Sequence, residues 1–231
     1  MISGVMAGQM RKAGGGAGNT VSYIGVSATR WTTAISIAEV VPAAAAVGDL
    51  LLAYFMSRSA PTPPSGWTLV RTQTITGGGV TQILSVYSKA AISGDAGASI
   101  AFTQASSQRT SLTILVLRGS SASPTVVASN AATVVGVAVV PIAGVTGIGA
   151  GSLAVTGATT IFSVAESIES SLRVSSPWIQ ITPLSIVDSA NPVRTSVAYK
   201  ALVGGEVASG TFTINVDASN HALCSISILV G

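Results

Sequence analysis

The sequence is poor in the residues that carry chemistry. It has one cysteine, one histidine, and 8% charged residues among 231, with 11 Lys and Arg against 8 Asp and Glu. A typical globular chain carries about 25%. The single Cys224 excludes an intrachain disulfide framework and a multi-cysteine zinc site. It lies in the strand-like run Leu223-Cys224-Ser225-Ile226-Ser227-Ile228 and reads as a small buried hydrophobe. His221, with Asn220 and Asp217 beside it, reads as part of the turn before the last strand. A Ser-His-Asp set needs three side chains that converge in space, and nothing in the sequence points to one. One His, one Cys and eight scattered carboxylates give no metal-ligand spacing, so neither a metal nor a cofactor is expected. Glu166 and Glu169, at i and i+3, read as solvated carboxylates and not as a glycosidase pair. The chain is therefore not expected to be an enzyme.

Clustered positive charge and a membrane helix are missing too. The eight Arg and three Lys are scattered, with Arg11-Lys12 the only adjacent pair, so nucleic-acid binding is not expected despite a net charge of +3. Residues 119–165 contain no charge, but Pro141 and six glycines interrupt them and they are rich in valine. That suits buried strands and turns better than a span of about 20 apolar residues. The opening residues place Arg11 and Lys12 after the apolar positions, unlike a secretory signal, and no Asn-x-Ser/Thr sequon occurs.

What the chain does have is hydroxyls and a repeat. Its 32 Ser and 23 Thr outnumber the charged residues almost three to one, while 48% of residues are hydrophobic. That hydrophobic content excludes a disordered chain. Gly48-Asp49-Leu50-Leu51-Leu52-Ala53 matches Gly151-Ser152-Leu153-Ala154-Val155. At an offset of 111, Ser65-Gly66-Trp67-Thr68-Leu69-Val70 matches Ser176-Pro177-Trp178-Ile179-Gln180-Ile181, and Val86-Tyr87-Ser88-Lys89-Ala90 matches Val197-Ala198-Tyr199-Lys200-Ala201. Phe102 then falls against Phe212, and Leu112 to Gly119 against Cys224 to Gly231. Five blocks in one order predict two tandem domains of one fold, 20–120 and 121–231, preceded by an arm and linker over 1–19.

The blocks read as strands. Phe212, Ile214 and Val216 alternate with hydroxyl and amide residues, as do Ile226 and Ile228 with Ser225 and Ser227, the period expected of half-buried antiparallel strands. Turn chemistry separates them at 60–66, 76–79, 93–97, 189–192 and 204–205. Together these predict an all-β chain of two antiparallel, jelly-roll-like β-sandwiches. Residues 163–174, with Val164, Ile168 and Leu172 spaced by four, are the one segment that reads as a short helix. The run Gly147-Ile148-Gly149-Ala150-Gly151 is not a dinucleotide fingerprint, because a strand is expected after it. Trp67 and Trp178 occupy equivalent positions and read as packing residues, whereas Trp31 has no counterpart and is a candidate surface contact. Met1, Ile2, Val5, Met6, Met10, Arg11 and Lys12 form a candidate anchoring arm ahead of the Gly-rich linker.

The blocks Gly48 to Leu52, Pro63-Pro64-Ser65-Gly66-Trp67-Thr68-Leu69-Val70, Val86 to Ala90, Ala98 to Thr103 and Leu115-Val116-Leu117-Arg118-Gly119 resemble a β-sandwich module of structural proteins from tailed bacteriophages and prophages. The second copy departs from it, with Pro177 in place of the glycine and no Pro-Pro turn. The resemblance implies a virion structural protein, with a capsid decoration or head-fibre component as the first expectation. Its partners would be other virion proteins, capsid or tail, and further copies of itself in a homo-oligomer. It would be assembled in the bacterial host cytoplasm. The alternative is a tail-associated adhesin that binds host-surface carbohydrate through Trp31 or the turn 60–66.

Overall fold

A computed structural model describes residues 19–28, 30–77, 79–146, 150–162, 172–182, 193–203, 205–214 and 221–231. Among them every regular element is a strand, as the alternating pattern predicts. The first half contains β1 (Val21–Val26), β2 (Arg30–Val40), β3 (Leu50–Ser57), β4 (Pro61–Thr62), β5 (Thr68–Gly77), β6 (Val80–Ala90) and β7 (Ser99–Gly119). The second contains β8 (Val126–Val135), β9 (Val139–Thr146), β10 (Leu153–Phe162), β11 (Leu172–Val174), β12 (Ile179–Thr182), β13 (Val193–Ala201), β14 (Val207–Ile214) and β15 (His221–Val230). All pairings are antiparallel.

The repeat extends to the hydrogen-bond ladders. In the first half a sheet runs β1-β7-β3-β6-β5, and in the second β8-β15-β10-β13-β12. The start of β7 pairs with β2 and β4, just as β14 pairs with β9 and β11. One 21-residue strand, β7, thus does in the first half what β14 and β15 share in the second. It belongs to two layers, and a register break between Ala34 and Ser36 of β2 marks the crossing.

Four layers result, separated by three cores. Every residue of β3 is buried. The even-numbered Leu50, Leu52, Tyr54 and Met56 enter a core shared by both halves, while Leu51, Ala53 and Phe55 enter the first half's own core with Trp67 and Phe102. The second half's own core holds Phe212, Trp178, Leu223 and Leu229. The shared core takes ten buried residues from the first half and eight from the second, among them Leu153, Val155, Cys224, Ile226 and Ile228. Full burial of one such side chain contributes roughly 1.5–3 kcal/mol. The hydrogen bonds that cross the same surface contribute about 0.5–1.5 kcal/mol each. Apolar burial therefore dominates the union of the halves. Shape fixes its register. Tyr54 lies against Gly157, where an added Cβ would sit 2.4 Å from Tyr54 Cδ1, and its hydroxyl donates to Val155 O at 3.2 Å. Tyr23 stacks on Tyr199 at 5.0 Å, and the hydroxyls of Ser111 and Thr195 bond at 2.9 Å.

The structure corrects three readings of the sequence. The serines of β15 do not form a solvent face. Ser225 and Ser227 are both buried, with Ser225 Oγ donating to Pro141 O at 2.7 Å and Ser227 Oγ bonded to Thr156 Oγ1. Leu172–Val174 is not helical but forms β11, whose backbone pairs with β14, so ladder bonding overrides the four-residue spacing. The rest of that segment, 163–171, lies outside the described residues. His221 is not in a turn but begins β15, opposite Phe162. The charge-free stretch contributes β8, β9 and β10, and among the described residues no helix is long and apolar enough to cross a membrane.

Candidate functional site

The best-defined polar constellations brace turns, and the first is duplicated. The turn after β6 is closed by Asp95, whose Oδ2 accepts from Ile92 N at 2.8 Å while Oδ1 accepts from Lys89 Nζ at 2.6 Å. Positive φ at Gly94 and Gly97, where a side chain would be strained, lets the chain double back within this span. The equivalent turn after β13 repeats the arrangement 111 residues later, with Glu206 taking Lys200 Nζ and Val203 N. Burial alone would raise the Asp95 carboxyl. The Ile92 N–H and the Lys89 ammonium outweigh it and hold Asp95 below the usual carboxylate range. Lys200 and the Val203 N–H likewise lower Glu206.

A depressed folded pKa means that the ionised form stabilises the native state. For Asp95 that contribution is complete above the unfolded value near 3.9 and is lost as pH falls through the lower folded value. Asp95→Asn is expected to cost roughly 1–3 kcal/mol at neutral pH, because it leaves the largely buried Lys89 ammonium without its counter-charge. The gap between variant and wild type should narrow progressively below about pH 5 in urea titrations, since protonation then removes the same charge from the native protein. A gap that is unchanged at pH 3 would refute this account.

A third ion pair has no copy. Arg118 uses Nε and Nη2 to hold both oxygens of Asp49, at 2.8 and 2.7 Å, and Nη2 also reaches Ala44 O. Asp49 Oδ2 also accepts from Ala46 N at 2.7 Å, closing the turn before β3. Ser152 and Val230 occupy the equivalent positions in the second half. An open cleft of about 300 Å³ lies here, between this turn and Ser121, Ala122 and Ser123. A second cleft of about 350 Å³ is more apolar, with Pro61, Leu69, Ile83 and Tyr87 around the hydroxyls of Thr72 and Ser85, which bond each other at 3.0 Å.

Both repeated tryptophans pack as expected. Trp67 meets Phe102 edge-on at 5.3 Å, and Trp178 donates from Nε1 to Ser209 O at 2.9 Å. The turns before them close alike, Trp67 N to Pro64 O and Trp178 N to Ser175 O, although Gly66 with φ of +84° stands where the second copy has cis-bonded Pro177. Cys224 is fully buried in the shared core, and burial pushes its thiol up to about 12. Trp31 sits in β2 opposite Ser111, and its side chain lies outside the described residues. So do Met1, Ile2, Val5, Met6, Met10, Arg11 and Lys12 of the arm, along with Glu166, Glu169, Asp217 and Asn220. Among the described residues no group of three His, Cys, Asp or Glu is placed to hold a metal ion.

The sequence reading missed the ion pairs. Lys89/Asp95 and Lys200/Glu206 leave a signal, since a lysine followed six residues later by a carboxylate recurs at the repeat offset. Asp49 and Arg118, 69 residues apart, leave none. Fold and site together define an all-β, four-layer stack of two similarly connected halves. No protein-family model, curated protein or solved structure matches the chain.

Proposed function

We propose that the chain is a non-enzymatic structural protein of a tailed-bacteriophage virion, a capsid decoration or head-fibre component that assembles in the host cytoplasm and joins the particle. One observation carries the reading. The braced turns present apolar tips at one end of the stack, with Ile92 60% exposed, its repeat counterpart Val203 70% and the adjacent Val47 72%. A turn that spends a buried ion pair on holding an aliphatic side chain in water is built for contact, and a rigid tip loses little entropy on docking. The low surface charge supports the same reading, because contacts with the capsid or with further copies then desolvate few ions.

A second reading, a tail-associated adhesin that binds host-surface carbohydrate, is favoured by the cleft beside Pro61 and Tyr87. It combines apolar walls with hydroxyls and borders the turn 60–66. Antibody labelling of purified particles under negative-stain electron microscopy tests both. Label spread over the head is expected. Label confined to the tail tip would favour the adhesin, and particles that carry no label would overturn the virion assignment.

A further inference from the structure

The braced turns do not stand alone at their end of the stack. Val40, which closes β2, and Val207, which opens β14, are each about half exposed beside the tips Val47, Ile92 and Val203. Gly97 N donates to Val41 O, which fixes the end of β2 against the first braced turn. Val207 follows directly on Glu206, whose carboxylate closes the second. Both halves thus supply aliphatic side chains that stand in water on one face, each on backbone held by hydrogen bonds.

The charges at this end indicate what the face meets. Lys89 with Asp95, Lys200 with Glu206 and Arg118 with Asp49 are ion pairs closed within the chain. Glu39, next to Val40, is only 2% exposed and presents no charge to the surface. Among the described residues, the charges that reach this face are already neutralised in pairs. The ions of a strongly charged partner would lose hydration here with nothing to replace it. A second copy brings the same neutral, aliphatic face, so the two meet without setting unpaired like charges against each other.

The extent of the face fits as well. Five strands in each central layer and three in each outer one, about 4.8 Å apart in layers about 10 Å apart, give an end face of roughly 800 Å². A stable interface of standard size takes about the same area from each partner. We propose that two copies of the chain dock through this end, tip to tip, each presenting the same surface to the other. This docking rests on the reading of the braced turns as contact surfaces, and takes further copies, not the capsid, as what they meet. The strands of the two copies then follow one another end to end in an elongated dimer.

Sedimentation velocity of the full chain across micromolar concentrations tests this. A reversible monomer–dimer equilibrium is expected, and it should persist in high salt because the ion pairs lie within each copy. Ile92→Asp and Val203→Asp each place a carboxylate on an exposed tip. Each should weaken the dimer about tenfold or more while far-UV circular dichroism stays that of the wild type. Val135→Asp, at a position 63% exposed at the other end of the stack, should leave the dimer intact. Small-angle scattering of the wild type needs no variant, and an end-to-end dimer elongated along the strands is expected. A monomer at every concentration, a side-by-side dimer, or a dimer that both tip substitutions leave intact or that Val135→Asp dissolves would overturn the proposal. None of these outcomes changes whether particles carry the antibody label, so a failed interface and a failed virion assignment read differently.

Discussion

Tyr54→Ala is expected to lower the free energy of unfolding by roughly 3–5 kcal/mol, the cost of emptying a fully buried aromatic site. Gly157→Ala, on the other face of the shared core, should cost about 1–3 kcal/mol, because its new Cβ would fall within 2.4 Å of the Tyr54 ring. The informative result is that these effects will not add. With the ring removed, the methyl group added at position 157 enters open space, so in a Tyr54→Ala background the second substitution should be neutral or stabilising. That gives a coupling of about 1–3 kcal/mol in a double-mutant cycle. Additive effects would mean that the two halves do not meet as described. Tyr54→Phe, which keeps the ring but loses the bond to Val155 O, should cost only about 1 kcal/mol.

A chain of residues 121–231 alone should fail to behave as a stable monomer. Separation would expose Leu153, Val155, Val197, Ala222, Ile226, Ile228 and Val230, which alternate along three adjacent strands to form one continuous apolar face. Monomeric proteins rarely carry an apolar patch beyond a few hundred Å². The fragment is expected to bind a hydrophobic dye or self-associate in sedimentation velocity, whereas the full chain should unfold in one cooperative transition. Adding a fragment of residues 1–120 should suppress the dye binding. A soluble, dye-silent, monomeric fragment would show that the shared core is dispensable for the second half.

The sequence announced the strands, most of the turns, the buried cysteine and the packing of both tryptophans, because each is a local pattern or a repeat. The middle of the stack was harder to see. Leu50-Leu51-Leu52-Ala53-Tyr54-Phe55-Met56 does not alternate at all, and the structure shows why: both of its faces are cores. In β15 the same situation was disguised. The hydroxyls of Ser225 and Ser227 look like a wet face in a pattern, yet they satisfy Pro141 O and Thr156 Oγ1 in a dry one. A hydroxyl can be buried at little cost once it is bonded, so alternation in Ser and Thr does not distinguish water from a neighbouring sheet. Leu172 to Val174 misled for a related reason, since a four-residue spacing of apolar side chains carries no information about an adjacent strand that needs a partner. The turn braces were half legible, through the recurring lysine and carboxylate.

The pairing of Tyr54 with Gly157 carries one more consequence. Gly48 and Gly151 both have positive φ and both precede the central strand of their half, and counting on from them makes Gly157 the counterpart of Tyr54. The strand order that places β3 over β10 also sets β5 near β8 and β15, and β1 near β13, so the halves relate as the partners of an isologous dimer with a twofold axis running between β3 and β10. Two identical chains cannot put a large residue against a small one on such an axis, because symmetry forces the same residue onto both sides. Joining the copies in a single polypeptide removes that restriction. Tyrosine on one side and glycine on the other make an asymmetric lock that a homodimer of either half could not form.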